Sequence, residues 1–162
     1  MRYLLLFTIV LLWQSATAQE CQPLTLAQLQ QIYKSSDRPD RILEQGFSVP
    51  LVKADYSVVY QRCRKIVGYA DETEIVTLPE LITDGNRSRG ISLTTYDPDT
   101  YARIQAEAKA KYTALTSLKS QSGTYTAGYS DGKIAYLFGT VNVRQVTGAA
   151  RFRIGLMPIS AL

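Results

Sequence analysis

Residues 97–123 read DPDTYARIQAEAKAKYTALTSLKSQSG, and this stretch organises the second half of the chain. Asp97 suits the N-cap position because its carboxylate can accept from the free N–H groups of a first helical turn, and Pro98 suits the first helical position. Apolar side chains then recur every three or four residues, which places them on one helix face. They are Tyr101, Ile104, Ala108, Tyr112, Leu115 and Leu118. The pattern predicts a helix that begins at Pro98, continues past Leu118 and is ended by Gly123.

Strand-like runs follow this helix as far as Ile159. They cover residues 123–129, 133–146 and 149–156. Asp131-Gly132 is a strong signal for the hairpin turn between the first two runs. In the last run Arg151 and Arg153 alternate with apolar residues, so the pattern predicts a half-buried strand whose arginines face solvent.

The first half of the chain predicts two short helices followed by strands. Thr25 can cap the first helix, and the second begins at Pro39, turns Ile42 and Leu43 inward and ends at Gly46. Runs rich in β-branched and aromatic residues predict the strands. These runs cover residues 56–62, 65–69, 74–78 and 91–96.

The expected fold is therefore of the α+β class, with helices packed on one face of a mainly antiparallel sheet. The element order is ααβββ-αβββ, which counts three strands among the four candidate runs of the first half because 65–69 and 74–78 are short. The two halves are compatible with a diverged duplication, although no residue-level repeat supports it.

The first eighteen residues, 1–18, predict a cleaved signal peptide. Arg2 supplies a positive start, residues 3–13 are apolar, and Ala16-Thr17-Ala18 fits the pattern that signal peptidase recognises. The apolar stretch is shorter than the about 20 residues that a membrane-spanning helix needs. We expect export to the periplasm or the extracellular space, no stable membrane span after cleavage, and a single α+β domain over residues 19–162. Loss of Arg2 changes the net charge to +4 − 1 = +3.

Two cysteines, Cys21 and Cys63, are present, and an even pair in an oxidising compartment predicts a disulfide. The alternative is a reactive thiol at Cys63, because the neighbouring Arg62, Arg64 and Lys65 would favour its thiolate. The pair is too small for a zinc site, so we expect no bound metal.

The chain has no histidine, which removes the commonest general base near neutral pH and the usual catalytic triads. No phosphate-binding loop, dinucleotide-binding glycine pattern or nucleophile elbow occurs, so no cofactor is expected. Acidic residues cluster at 71–74 and at Asp97 and Asp99, and two facing carboxylates are what a polysaccharide hydrolase requires. A solvated turn and a helix cap are the favoured interpretations of these clusters.

Tyrosine is the positive feature, since ten of the eleven tyrosines follow the predicted signal peptide. The pattern predicts that Tyr125, Tyr129 and Tyr136 share one sheet face, near Arg151 and Arg153. Tyr and Arg are enriched in protein-binding surfaces, so these five residues are the candidate binding residues. The competing interpretation packs the rings beneath the helices.

These observations favour an exported, non-catalytic binding domain that contacts a protein or a component of the cell envelope. The modest positive charge and the expected export argue against nucleic acid as a partner. A carboxylate-based hydrolase acting on envelope or extracellular polysaccharide is one alternative. A carrier of small apolar ligands, which requires an internal cavity, is another. The oligomeric state is left open by the sequence.

Overall fold

The structure, a computed structural model, describes residues 22–36, 38–48, 52–54, 57–63, 66–67, 70–71, 73–79, 90–116, 125–141 and 151–162. Its helices are α1 (Leu26–Lys34), α2 (Pro39–Leu43) and α3 (Pro98–Lys111). Its first strands are β1 (Val52–Ala54), β2 (Ser57–Arg62), β3 (Ile66–Val67), β4 (Ala70–Asp71), β5 (Glu74–Pro79) and β6 (Ile91–Thr95). The remaining strands are β7 (Thr113–Ala114), β8 (Tyr125–Ser130), β9 (Ile134–Val141) and β10 (Arg151–Pro158), and a 3-10 turn follows at Ile159–Ala161.

Eight strands form one sheet in the order β1-β2-β5-β6-β10-β9-β8-β7, while β3 pairs with β4 separately. Every neighbouring pair is antiparallel. The α+β class, with helices packed on an antiparallel sheet, is therefore confirmed. The suggested duplication stays a prediction.

The helices cover one face of the sheet, which we call the helix face. Val76, Leu93, Ile154 and Phe138 occupy paired positions across four neighbouring strands of this face, and each is fully buried. Buried side chains of α1, α2 and α3 join them in one core cluster. The opposite face, which we call the back face, carries the residues that alternate with these along each strand.

Several local predictions are confirmed. Thr25 forms a capping box with Gln28 at the start of α1, and Asp97 caps α3 by accepting from the Asp99 amide at 3.0 Å. Gly46 has φ +82°, a conformation that glycine adopts at little cost, just after α2.

Ile42 and Leu43, at the end of α2, were both predicted to point inward. This prediction is confirmed for Ile42 and wrong for Leu43. Ile42 is fully buried, whereas Leu43 is 38% exposed. Consecutive helical residues point about 100° apart, so a helix of this length turns only one of the two toward the core.

The end of α3 differs from the prediction. Tyr112 adopts an extended conformation (φ −128°, ψ 159°) directly after Lys111. Thr113 and Ala114 then pair with β8 as strand β7, and the Leu115 amide donates to the Gly128 carbonyl at 2.9 Å. The prediction that the helix continues through Leu115 is therefore wrong, because sheet pairing outweighs the helical periodicity of this segment.

Some predictions fall on residues that the structure does not describe. The proposed signal peptide (1–18) and Cys21 are among them, so export and the Cys21–Cys63 disulfide stay predictions. The described part of the chain contains no free cysteine, which contradicts the reactive-thiol alternative at Cys63. Among the described helices, none has the length and apolar character that crossing a membrane would require.

Candidate binding surface

The candidate tyrosines lie on both faces of the sheet. Tyr129 pairs directly with Tyr136 on the helix face, whereas Tyr125 pairs with Gly139 on the back face. A β-bulge between Tyr125 and Ala127 shifts the register by one residue, and a shift of one residue turns a side chain to the opposite face. The prediction that the three rings share one face is therefore wrong for Tyr125.

Tyr129 and Tyr136 belong to the core, as the competing interpretation has it. Tyr136 is fully buried. The ring of Tyr129 packs against the ring of Phe138, with centroids 5.9 Å apart and an interplanar angle of 65°. These two side chains contribute packing beneath the helices, as aromatic pairs with edge-to-face geometry do.

Tyr125 and Arg153 lie on opposite sides of a glycine on the back face. Arg153 pairs with Gly139, and Gly139 pairs with Tyr125. The ring of Tyr125 extends to β10, where a Cβ added to Gly155 would lie 2.6 Å from the tyrosine hydroxyl. Two positions without side chains thus allow Tyr125 to lie against the sheet beside Arg153.

Arg151 occupies the same face two residues earlier on β10. Its guanidinium carbon lies 5.0 Å from the centroid of the Tyr96 ring, within the range of a cation–π contact. We define the Tyr–Arg surface as Ser92, Tyr96, Tyr125, Arg151 and Arg153, all of which are half-buried. The prediction that the β10 arginines face solvent is wrong, because both are half-buried and burial along the strand does not alternate.

Three polar atoms of the Tyr–Arg surface are buried without a hydrogen-bond partner: Nε of Arg151, Nε of Arg153 and Oγ of Ser92. Among the described residues these are the buried side-chain polar atoms that lack a partner. Buried polar atoms are nearly always bonded in native proteins, and leaving one unbonded costs about 1–3 kcal/mol. All three atoms belong to strands β6 and β10.

Tyr125 contributes a neutral hydroxyl to this surface. Burial raises the pKa of Tyr125, and the positive charge of Arg153 and the nearby Ser92 hydroxyl oppose that rise only in part. Ser92 Oγ lies close to the tyrosine oxygen but outside full hydrogen-bond geometry.

A second feature is a surface cleft of about 650 Å³ at the C-terminal end of α3. It is lined by Lys111, Tyr112, Thr113, Ala114, Leu115, Ser130, Asp131, Gly132 and Ile159. The Tyr112 ring stacks on Tyr136, with centroids 4.6 Å apart and an interplanar angle of 8°. Gln30 Nε2 donates to both hydroxyls, at 2.6 Å and 2.8 Å. Tyr112 is thus held by α1 and β9 together.

Around this cleft, the pKa values of Tyr136 and Lys111 are raised further above neutral pH. Burial raises the pKa of Tyr136 far above its usual range, and the Tyr112 hydroxyl and Asp131 carboxylate add to that rise. A hydrogen bond to Glu107 raises the pKa of Lys111. General acid–base catalysis works best with a pKa near the working pH, so these shifts do not favour catalysis in the cleft.

The carboxylate of Asp131 accepts the hydrogen bonds that stabilise the turn between β8 and β9. Partial burial alone would raise the pKa of Asp131, but hydrogen bonds from the Ile134 and Lys133 amides and from the Tyr136 hydroxyl lower it. The amides donate to Oδ1 at 2.8 Å and 2.9 Å, and the hydroxyl donates to Oδ2 at 3.1 Å. Gly132 has φ +91°, which confirms the predicted Asp131-Gly132 turn.

We expect Asp131→Asn to lower the free energy of unfolding by about 1 kcal/mol at neutral pH, because Nδ2 cannot accept from Tyr136. A carboxyl whose folded-state pKa is lowered stabilises the fold above its unfolded pKa of about 4 and loses this contribution as the pH falls through the folded-state value. Urea unfolding at several pH values should therefore show the two proteins converging below about pH 4. Glu44→Gln, at an exposed pair with Arg41, is the control, and a gap that stays constant down to low pH would contradict the expectation.

The acidic candidates for catalysis have structural roles where they are described. Glu74 forms a buried ion pair with Arg62, with side chains 10% and 6% exposed, and Asp97 caps α3. The side chains of Asp71 and Glu72 lie outside the described residues. Within the described ranges, no group of three or more acidic or cysteine side chains is arranged to hold a metal ion.

No protein-family model, curated protein or solved structure matches this chain. Its function is therefore argued from the chemistry of its own surfaces.

Proposed function

We propose that this chain is an exported, non-catalytic binding domain that contacts a protein partner through the Tyr–Arg surface. The observation that carries the proposal is the group of three buried, unpartnered polar atoms on that surface. Hydrogen-bond acceptors from a partner would remove the cost of leaving these atoms unbonded. Export rests on the signal-peptide pattern of residues 1–18.

The composition of the surface supports a protein as the partner. Tyr and Arg are the side chains that most often dominate the binding energy of protein interfaces. A sugar ring would instead stack on an open aromatic face. Here the Tyr96 ring carries the Arg151 guanidinium, and the Tyr125 ring lies against Gly155.

The two alternative functions have less support. A carboxylate-based hydrolase needs two facing acids, whereas Glu74 is committed to Arg62 and Asp97 to the start of α3. An apolar-ligand carrier needs a cavity between sheet and helices, whereas the 650 Å³ cleft lies at the end of α3 and includes charged residues in its lining.

The test is affinity capture of secreted and envelope proteins with the full mature chain, followed by identification and direct binding measurements on the captured protein. We expect Arg151→Ala/Arg153→Ala to weaken binding at least about tenfold, the usual effect of losing interface hot spots. Gly155→Ala should also weaken binding, because its Cβ would displace Tyr125 from the sheet.

Arg38→Ala/Arg41→Ala is the matched control, since it removes two exposed arginines near α2. Circular dichroism and thermal unfolding would verify that all variants fold. Binding that is unchanged in the β10 double variant but lost in the control would show that the Tyr–Arg surface is not the contact.

A further inference from the structure

We infer that the partner presents an extended acidic segment to the Tyr–Arg surface, with one carboxylate for each of Arg151 and Arg153. This inference rests on the proposed function and specifies the chemistry of its partner. It follows from the spacing of the two guanidinium groups, the atoms that lack partners and the balance of charge around them.

The spacing matches an extended peptide. Arg151 and Arg153 are two residues apart on one strand, so their side chains leave the same face about 7 Å apart. Acidic side chains at positions i and i+2 of an extended segment have the same separation of about 7 Å. Such a segment can therefore present both carboxylates at once without bending.

The unpartnered atoms match carboxylates. A guanidinium binds a carboxylate most strongly through two parallel N–H groups, and the edge formed by Nε and one terminal nitrogen is one of its two forks. Nε is the atom without an acceptor in both arginines. Because Nε is buried in both arginines, each side chain must shift from its present position for this edge to meet an incoming carboxylate.

The balance of charge also favours an acidic partner. The ion pairs between described residues join Arg38 to Asp40, Arg41 to Glu44, Arg62 to Glu74 and Lys111 to Glu107. None of these ion pairs includes Arg151 or Arg153. Two like charges side by side repel each other, and two carboxylates would turn that repulsion into attraction. Tyr96 and the Tyr125 hydroxyl would flank the bound segment.

The test uses three probes with the full mature chain in nuclear magnetic resonance titrations at low and moderate salt. The first is a synthetic peptide with Glu at alternate positions, and the second carries Gln at those positions. The third is a polyuronate, which supplies carboxylates on a polysaccharide. We expect the Glu peptide to bind at least about tenfold more tightly than the Gln peptide and to weaken as salt screens the charges.

Arg151→Gln/Arg153→Gln should abolish the preference for Glu, whereas Arg38→Gln/Arg41→Gln should retain it. Equal binding of the Glu and Gln peptides would overturn the inference, and the proposed function would stand if capture of the partner still depended on the β10 arginines. Tighter, arginine-dependent binding of the polyuronate would overturn the inference in favour of an acidic polysaccharide. Capture of a partner that does not depend on Arg151 or Arg153 would contradict the proposed function itself.

Discussion

Glu74→Gln is expected to lower the free energy of unfolding by about 3–5 kcal/mol, because removing one member of a buried ion pair leaves the other charge uncompensated. Arg62 Nε donates to Glu74 Oε2 at 2.8 Å, and Thr95 Oγ1 donates to Glu74 Oε1 at 3.0 Å. The terminal nitrogens of Arg62 donate to the carbonyl oxygens of Gln45, at 2.9 Å, and Gln22. The change therefore disturbs the junction between the N-terminal helices and the sheet.

The matched control is Glu44→Gln, which breaks the exposed pair with Arg41 and should cost no more than about 1 kcal/mol. Arg62→Met/Glu74→Leu should recover part of the loss, since apolar side chains often replace a buried ion pair without penalty. Chemical unfolding of all three variants measures these differences. Equal losses from Glu74→Gln and Glu44→Gln would show that burial of the pair is not the cause.

Phe138→Ala is expected to cost about 3–5 kcal/mol, because it empties a large volume in a fully buried part of the core. The Phe138 ring packs edge-on against Tyr101 and Tyr129, with both centroid distances at 5.9 Å. These contacts join α3 to β9 and β8. A loss of this size is a large part of the total stability of an ordinary domain.

Phe152→Ala provides the comparison, since this half-buried ring also packs on Tyr101, with centroids 4.8 Å apart. It removes the same atoms but leaves a site that solvent can partly refill, so we expect a clearly smaller loss. Thermal and chemical unfolding measure both changes. A loss for Phe152→Ala as large as that for Phe138→Ala would contradict the assignment of Phe138 to the centre of the core.

Part of the candidate surface was predictable, and part was not. Arg151 and Arg153 were identified from their alternation with apolar residues in the sequence, although burial along β10 does not alternate. Tyr96 was missed because it lies between the end of β6 and the Asp97 cap and shows no pattern of its own. Ser92 was missed because a single serine within a strand has no recognisable sequence pattern, and only its neighbours in the folded protein distinguish it.

The cleft at the end of α3 was also missed. It exists because the helix stops at Lys111 and the chain returns to the sheet as β7. Because the helical periodicity of the sequence continues to Leu118, no local pattern predicts that the helix ends at Lys111. The stacking of Tyr112 on Tyr136 and the pairing of β7 with β8 stabilise the extended segment against continuation of the helix. Both contacts involve residues distant in the sequence.

The sequence by itself determined the α+β class, the caps at Thr25 and Asp97, and the turn at Asp131-Gly132. Caps, glycine turns and alternating patterns are properties of residues close together in the chain, so they can be recognised before folding. The tertiary structure decided the face of Tyr125, the length of α3 and the burial of the Arg62–Glu74 pair. These depend on register and on contacts between distant segments, and a register shift of one residue turns a side chain from the helix face to the back face.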